Sequence, residues 1–362
     1  MKYKKLALVL LALGAGLMGH GAYAASRPDS HLTPEENTQM QTFLQGMKPH
    51  CIGRYLVDMP GSFLIKEGNI MAFIDRAPIK TKRLYRPAFE QKIHLREAEL
   101  SNKQPLNPQD KPFLKHVYPL PAGMEGVIFE RNEGLSVPDA SRVLEAYLYT
   151  NGVAVEIEMK ARNGLSSRYD DDREDTPEIY GNTVPEKLAA LTQLLQRMSG
   201  QSNTEIPQQA GLCLPDLFIA DGSKNQNESL NIIFTSPDYA KTKFKFDTDN
   251  YTNEDSTLLE RSGPLDLMIK AASGRTIQKG KRNINGQYSE EWLFTGKDKG
   301  EKSLRFSLHI NEKTNTPKTP LFFMDFTQRG ETGNYQLTEN EAVSVWEQIT
   351  HTIRLRPGAF GQ

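Results

Sequence analysis

The sequence is poor in cysteine, carries no charge excess and, past its first two dozen residues, holds no long apolar run. Among 362 residues only Cys51 and Cys213 are cysteines, so at most one intrachain bridge can form. Lys and Arg number 44 against 45 Asp and Glu, a formal net charge of −1. Nucleic-acid binders usually show a marked basic excess, and that class is set aside. After residue 24 no stretch is apolar for the ~20 residues that a membrane-spanning helix needs. Catalytic signatures are missing as well. There is no G-x-S-x-G elbow, no H-E-x-x-H and no paired C-x-x-C. Gly274 to Lys281 loosely resembles a phosphate loop, but five residues separate the glycines, and Arg282 stands where a magnesium-binding hydroxyl belongs. No catalytic, cofactor-binding or metal-binding residue is therefore assigned.

What is present begins at the N-terminus. Lys2, Lys4 and Lys5 precede an apolar run from Leu6 to Met18, and Ala22-Tyr23-Ala24 supplies a small-x-small cleavage site. This is the pattern of a secretory signal peptide. Cleavage after residue 24 would leave 338 of the 362 residues and, with three lysines gone, a formal charge of −4. The expected product is exported, with no stable membrane insertion once the signal is removed. A chain of that length usually makes two domains.

The mature chain reads as one layout written twice. Cys51-Ile52-Gly53-Arg54-Tyr55-Leu56-Val57-Asp58-Met59-Pro60 opens the first half, and Cys213-Leu214-Pro215-Asp216-Leu217-Phe218-Ile219-Ala220-Asp221-Gly222 opens the second. Each opening is a cysteine, a short apolar strand, then an aspartate and a turn former. A second strand follows in each half, at 69–74 and 230–234. A helix comes next, at 88–100 and, less clearly because Gly263-Pro264 interrupts it, within 256–272.

Three strands then run in succession, at 126–131, 142–150 and 153–161 in one half and at 288–295, 303–311 and 321–328 in the other. Asn151-Gly152 is a two-residue hairpin signal. Val153, Val155, Ile157 and Met159 alternate with polar neighbours, the mark of a half-buried strand. Each half closes on a capping box, Thr183-Val184-Pro185-Glu186 and Thr338-Glu339-Asn340-Glu341, ahead of an apolar helical stripe. Thr33-Pro34-Glu35-Glu36 is a third box and starts a helix expected to reach about Met47. Ser199 to Asn203 reads as a polar linker. The expected architecture is α+β: a signal peptide at 1–24, an N-terminal helical segment at 25–50, and two similar units at 51–200 and 201–362. Each unit is an antiparallel sheet with helices packed on one face.

Few residues stand out as functional. Cys51 and Cys213 hold matching positions and lie in an oxidising compartment if the chain is exported, so a bridge between the halves is expected; two buried thiols acting as small hydrophobes is the alternative. Asp170, Asp171, Asp172, Glu174 and Asp175 make an acidic run before the helix at Thr183. It lacks the glycine and the terminal carboxylate of a calcium loop. It reads as a solvated loop or, less simply, a partner contact. Lys80, Lys82, Arg83 and Arg86 make a basic counterpart. His50, His94, His116, His309 and His351 are scattered without metal-ligand spacing.

The opening at Cys51 to Pro60, most specifically Gly53-Arg54-Tyr55, resembles that of the two-domain bacterial immunity proteins that neutralise lipase effectors of the type VI secretion system (Tle-cognate immunity proteins, type four). Gly211-Leu212-Cys213 onward is similar to the start of that family's C-terminal domain. The resemblance implies a periplasmic, non-enzymatic protein that sequesters a phospholipase by contact from both domains, near the region that gates substrate entry. Its partner would be the cognate effector protein, with no cofactor. Gly53-Arg54-Tyr55 also has a structural reading, because an arginine beside a strand start often satisfies carboxylates or chain ends. A periplasmic ligand-binding or envelope accessory protein is the competing function.

Overall fold

The computed structural model describes residues 32–271, 273–298, 300–330 and 336–361; the expected signal peptide lies outside them. In the first half the elements are α1 (Pro34–Phe43), β1 (Lys48–Ile52), β2 (Tyr55–Met59), β3 (Leu64–Ile74), β4 (Ala77–Arg83), α2 (Arg86–Asn102), β5 (Leu114–Pro119), β6 (Glu125–Asn132), β7 (Ser141–Thr150), β8 (Val153–Arg162), α3 (Asp170–Asp175), α4 (Pro177–Tyr180), α5 (Val184–Gln196) and β9 (Met198–Gly200). In the second they are β10 (Gly211–Leu214), β11 (Leu217–Ala220), β12 (Glu228–Thr235), β13 (Thr242–Asp249), α6 (Ser262–Ala271), β14 (Arg275–Ile284), β15 (Gln287–Asp298), β16 (Glu301–Ile310), β17 (Leu321–Arg329), α7 (Glu339–Thr350) and β18 (Arg354–Leu355).

The α+β class and the antiparallel pairing are as expected, and the duplication is visible in the strand order. Reading inward from the two ends, one half contributes β5-β6-β7-β8-β4-β3 and the other β14-β15-β16-β17-β13-β12. Each strand of the first half has a counterpart at the same place in the second. The two sheets are not separate, however. β3 pairs antiparallel with β12, Ala72 opposite Leu230 and Ile70 opposite Ile232, so that the described residues form one twelve-stranded sheet.

The short strands cross between the halves. β1 and β2 form a hairpin completed by β18 of the second half, and β10 and β11 form one completed by β9 of the first. Ser199 and Gly200, read from sequence as the start of a linker, are thus a strand.

One apolar core runs along one face of the sheet through both halves. It takes Met40 and Phe43 from α1, Leu191 and Leu195 from α5 and Val345, Trp346 and Ile349 from α7, against Val155, Ile157, Ile232, Phe244, Phe306 and Met324 from the strands. On the opposite face α2 covers the outer strands of the first half, where Phe89 and Leu100 meet Val127, Phe129 and Tyr147. α6 lies on that same face in the second half, beside Trp292 and Phe294. Helices therefore occupy both faces of the joined sheet.

The caps divide. Thr33 and Thr338 each form the expected box, with the hydroxyl accepting from the N3 backbone and the N3 glutamate returning to the threonine N–H. Thr183 does not. Its hydroxyl accepts from the Arg162 N–H at 2.9 Å, and the Asn182 side chain takes the Val184 N–H instead. The end of β8 competes for the threonine and wins. α1 stops at Phe43, short of Met47, because Gly46 turns the chain with φ of +71° into β1. Gly263-Pro264 falls in the first turn of α6, where proline costs no hydrogen bond, so it starts that helix instead of breaking it.

Because β9 and β18 each complete a hairpin of the other half, neither half alone carries its own small sheet. Expressed separately, residues 25–203 and 204–362 should each show lost near-ultraviolet dichroism and rapid proteolysis, and mixing them should restore protection.

Candidate partner-binding surface

Between α2 and α6 no helix among the described residues covers one face of the sheet. From β8 to β16 the order is β8-β4-β3-β12-β13-β17-β16, six spacings that make the face roughly 29 Å wide at ~4.8 Å each. Register places Met71 beside Asn231, Asn231 beside Asp247 and Asp247 beside Phe323. Lys245 pairs in register with Asp325 and lies 2.7 Å from Asp247, and Ser307 donates to Asp325 at 2.6 Å. The face mixes exposed apolar side chains, Met71 and Phe73, with balanced charges. Both halves contribute to it. Sequence reading noted the apolar strand around Phe73 without seeing its meaning. Ile70 to Ile74 is apolar on both strand faces, although only one of those faces, with Ala72 and Ile74, enters the core.

What holds the two contributions in register is the seam, and the family-like motif sits in it. Gly53 donates to the Cys213 carbonyl at 3.0 Å and accepts from the Cys213 N–H at 2.9 Å. Its φ is +62°, and a Cβ there would stand 2.7 Å from the Thr248 methyl. Cys51 and Cys213 are joined by a disulfide, with their Cα atoms 5.7 Å apart.

Arg54 is 6% exposed. Its Nε donates to Glu228 Oε2 at 2.9 Å, its Nη2 to Asp221 Oδ1 at 2.6 Å and its Nη1 to the Ala359 carbonyl at 2.5 Å. Burial alone would lower the guanidinium pKa, but the hydrogen bonds it donates to Glu228 and Asp221 outweigh burial and the pKa is raised. Arg54 thus satisfies carboxylates and a chain end, as the structural reading of the motif expects, although all three belong to the other half. Tyr55 donates its hydroxyl to the Pro320 carbonyl at 2.6 Å and packs on Phe322. Asp221 and Glu228 were missed from sequence because nothing local marks a carboxylate as the partner of a residue some 170 positions away.

The acidic run is a short helix, not the expected loop. Asp170, Asp171, Asp172, Glu174 and Asp175 lie exposed on α3, and Arg173 pairs with Asp170. In the basic run, Lys82 pairs with Glu67, Arg83 with Asp216 and Arg86 with Glu125. His309 sits between Glu312 and the Phe323 ring. Among the described residues no group of three or more His, Cys, Asp or Glu is placed to hold a metal. No helix among them is long and apolar enough to cross a membrane.

Solved immunity proteins share this fold. The chain is similar to the apo immunity protein TplEi of the type VI secretion system of Pseudomonas aeruginosa, at 22% identity and a TM-score of 0.69, covering 86% of this chain and 98% of that one. It is similar to a chain of the Tle4–Tli4 complex at 21% identity and the same TM-score, with coverage of 86% and 98%. TplEi complexed with the "L" peptide matches at 19% identity and a TM-score of 0.64, covering 87% and 99%. No curated protein matches. The model of the Tle cognate immunity protein 4 N-terminal domain matches residues 48–201, and that of its C-terminal domain matches residues 205–358. The chain belongs to the Tle cognate immunity protein 4 family.

Two outcomes test the seam. Arg54→Met leaves Glu228 buried without its cation and should cost about 3–5 kcal/mol in urea unfolding; Arg54→Met with Glu228→Leu should recover much of that loss.

His50 provides a pH-dependent test. Burial, then the Lys48 charge, lowers its pKa to about 4, against a smaller raising effect of Asp58. Its Nε2 has no hydrogen-bond partner among the described residues, and its ring meets Phe234 edge-on. Below pH 6.5 the unfolded chain takes up a proton that the folded chain refuses. Stability should therefore fall by up to about 3 kcal/mol between pH 6.5 and pH 4. His50→Gln should remove that part of the slope in unfolding curves recorded across the window.

Proposed function

We propose that the chain is a periplasmic immunity protein that binds a Tle effector lipase of the type VI secretion system one to one and blocks it by occlusion, with no chemistry of its own. The observation that carries this is the coincidence of both family domains with a sheet that sets both halves behind one open face. The relatives support it: one is Tli4 in complex with Tle4. A standard interface of roughly 1,200–2,000 Å² is enough to cover an active-site entrance, and an uncovered sheet face flanked by α2 and α6 offers a surface of that order.

Residues 1–24 act as the export signal, and the working chain divides into immunity domains at 51–200 and 201–362. Export places the inhibitor where an envelope-directed lipase acts. The exposed acidic residues Asp170, Asp171, Asp172, Glu174 and Asp175 serve at the rim of the contact, where charge governs association rate more than final affinity.

The test directs the cognate lipase to the periplasm of a host that carries either the full chain or one lacking residues 1–24. The full chain should restore growth and co-purify with the lipase in equal amounts. Protection by the unexported form would refute the periplasmic mechanism, and protection without co-purification would refute occlusion.

A further inference from the structure

The internal repeat makes the two covering helices comparable, and they differ. α2 has 17 residues and seals a buried cluster against its strands. α6 has 10 and does not close over β15 and β16. An open cleft of about 540 Å3 remains, floored by Trp292 and Phe294 and walled by Leu265, Met268 and Ile269. Met268 is 66% exposed and its neighbour Leu267 is 69% exposed.

The charges around the two positions are opposite. In the first half the strands offer Glu125, Glu145 and Glu156, and α2 answers with Arg86, Arg96 and Lys92. The cleft of the second half is lined by Arg261, Lys297, Arg305 and His309, with no acidic residue among the described residues of its lining. Arg261 is already paired with Glu312. Lys297 is exposed, as is Lys270 on α6.

We propose that this cleft seats an amphipathic helix of the effector, apolar toward Phe294 and Met268 and acidic toward Lys297 and Lys270. The inference rests on the effector-binding reading above. Phe89 and Leu100 of α2 show in the first half what such a helix does: they occupy the groove over the matching strands, with charge complementary to the strand surface. In the second half the repeat supplies a shorter helix, whose Asp266 is already paired with Lys279, so further apolar surface and the acid for Lys297 and Lys270 come from the partner.

The experiment titrates the full-length mature chain with the purified full-length effector. Met268→Asp with Leu265→Asp should weaken binding by at least about 30-fold, as expected when an apolar anchor site is lost. Lys270→Glu with Lys297→Glu should slow association several-fold and flatten its dependence on salt. Leu95→Asp, on the exposed side of α2, should change nothing. Thermal melting checks that each variant is folded, and all the sites changed are exposed.

Wild-type affinity in Met268→Asp with Leu265→Asp would overturn the proposal while leaving the effector-binding reading intact. Failure of the wild-type chain to bind the effector would overturn both. Sedimentation of the free chain adds a third outcome: a dimer that Met268→Asp dissolves would mean that a second copy occupies the cleft, and would also overturn the proposal.

Discussion

Taking a guanidinium out of water costs several kcal/mol unless its donors are met by well-placed acceptors, and Arg54 is met at every nitrogen. The acceptors come from three places: Asp221 just after β11, Glu228 at the start of β12, and the carbonyl of Ala359 near the C-terminus. One side chain at the entry to β2 therefore gathers segments otherwise distant in sequence. Gly53 lets the chain turn beside it, and the paired hydrogen bonds between Gly53 and Cys213 set the first hairpins of the two halves edge to edge. Arg356 reinforces the same point. Its backbone N–H donates to the Arg54 carbonyl at 2.9 Å, and its side chain donates to the carbonyls of Gln209 at 2.8 Å and Gly211 at 2.7 Å.

With the seam held, the pairing of β3 with β12 follows, and with it the continuity of the sheet. A protein with two domains on a linker must lose relative motion when both grip a partner, and that loss weakens binding. Here the ladder from β5 to β14 has already removed it. Parting the halves would break the β3–β12 hydrogen bonds and pull β9 and β18 from their hairpins. The open face is thus presented as one surface, and differences between the halves, such as the length of α2 against that of α6, become differences between two ends of one site.

Local features were legible in the sequence where local physics decides them. The alternation in Val153 to Met159 marks β8, Asn151-Gly152 marks the hairpin, and the boxes at Thr33 and Thr338 mark two helix starts. Thr183 fits the same pattern and fails because a neighbouring strand end competes for its hydroxyl, a contact that spacing does not reveal. β9 and β18 are three and two residues long, too short for any period, and they are strands only because the other half provides the edge. The joined sheet was hidden for the same reason. Nothing in β3 or β12 taken singly distinguishes an outer edge from a shared one. Arg54 was legible as a structural arginine, but its carboxylates were not, since they are set by the seam and not by distance along the chain.

The disulfide acts on a different part of the free energy from the rest of the seam. It links positions 162 apart, and closing a loop of that size in the unfolded chain corresponds to about 5 kcal/mol on the chain-entropy account. The folded backbone already brings the cysteines to a Cα separation of 5.7 Å, inside the usual range of 4.4–6.8 Å, through the Gly53–Cys213 hydrogen bonds. The bond therefore asks for no movement of the folded chain. A bridge between the halves could by itself set their orientation. In the structure that task belongs to the sheet and to Arg54, which constrain the folded state directly, while the disulfide restricts the unfolded one. Losing the bond would lower stability and leave the shape of the open face unchanged; losing the Arg54 cluster would lower stability and also loosen the register from which that face is built.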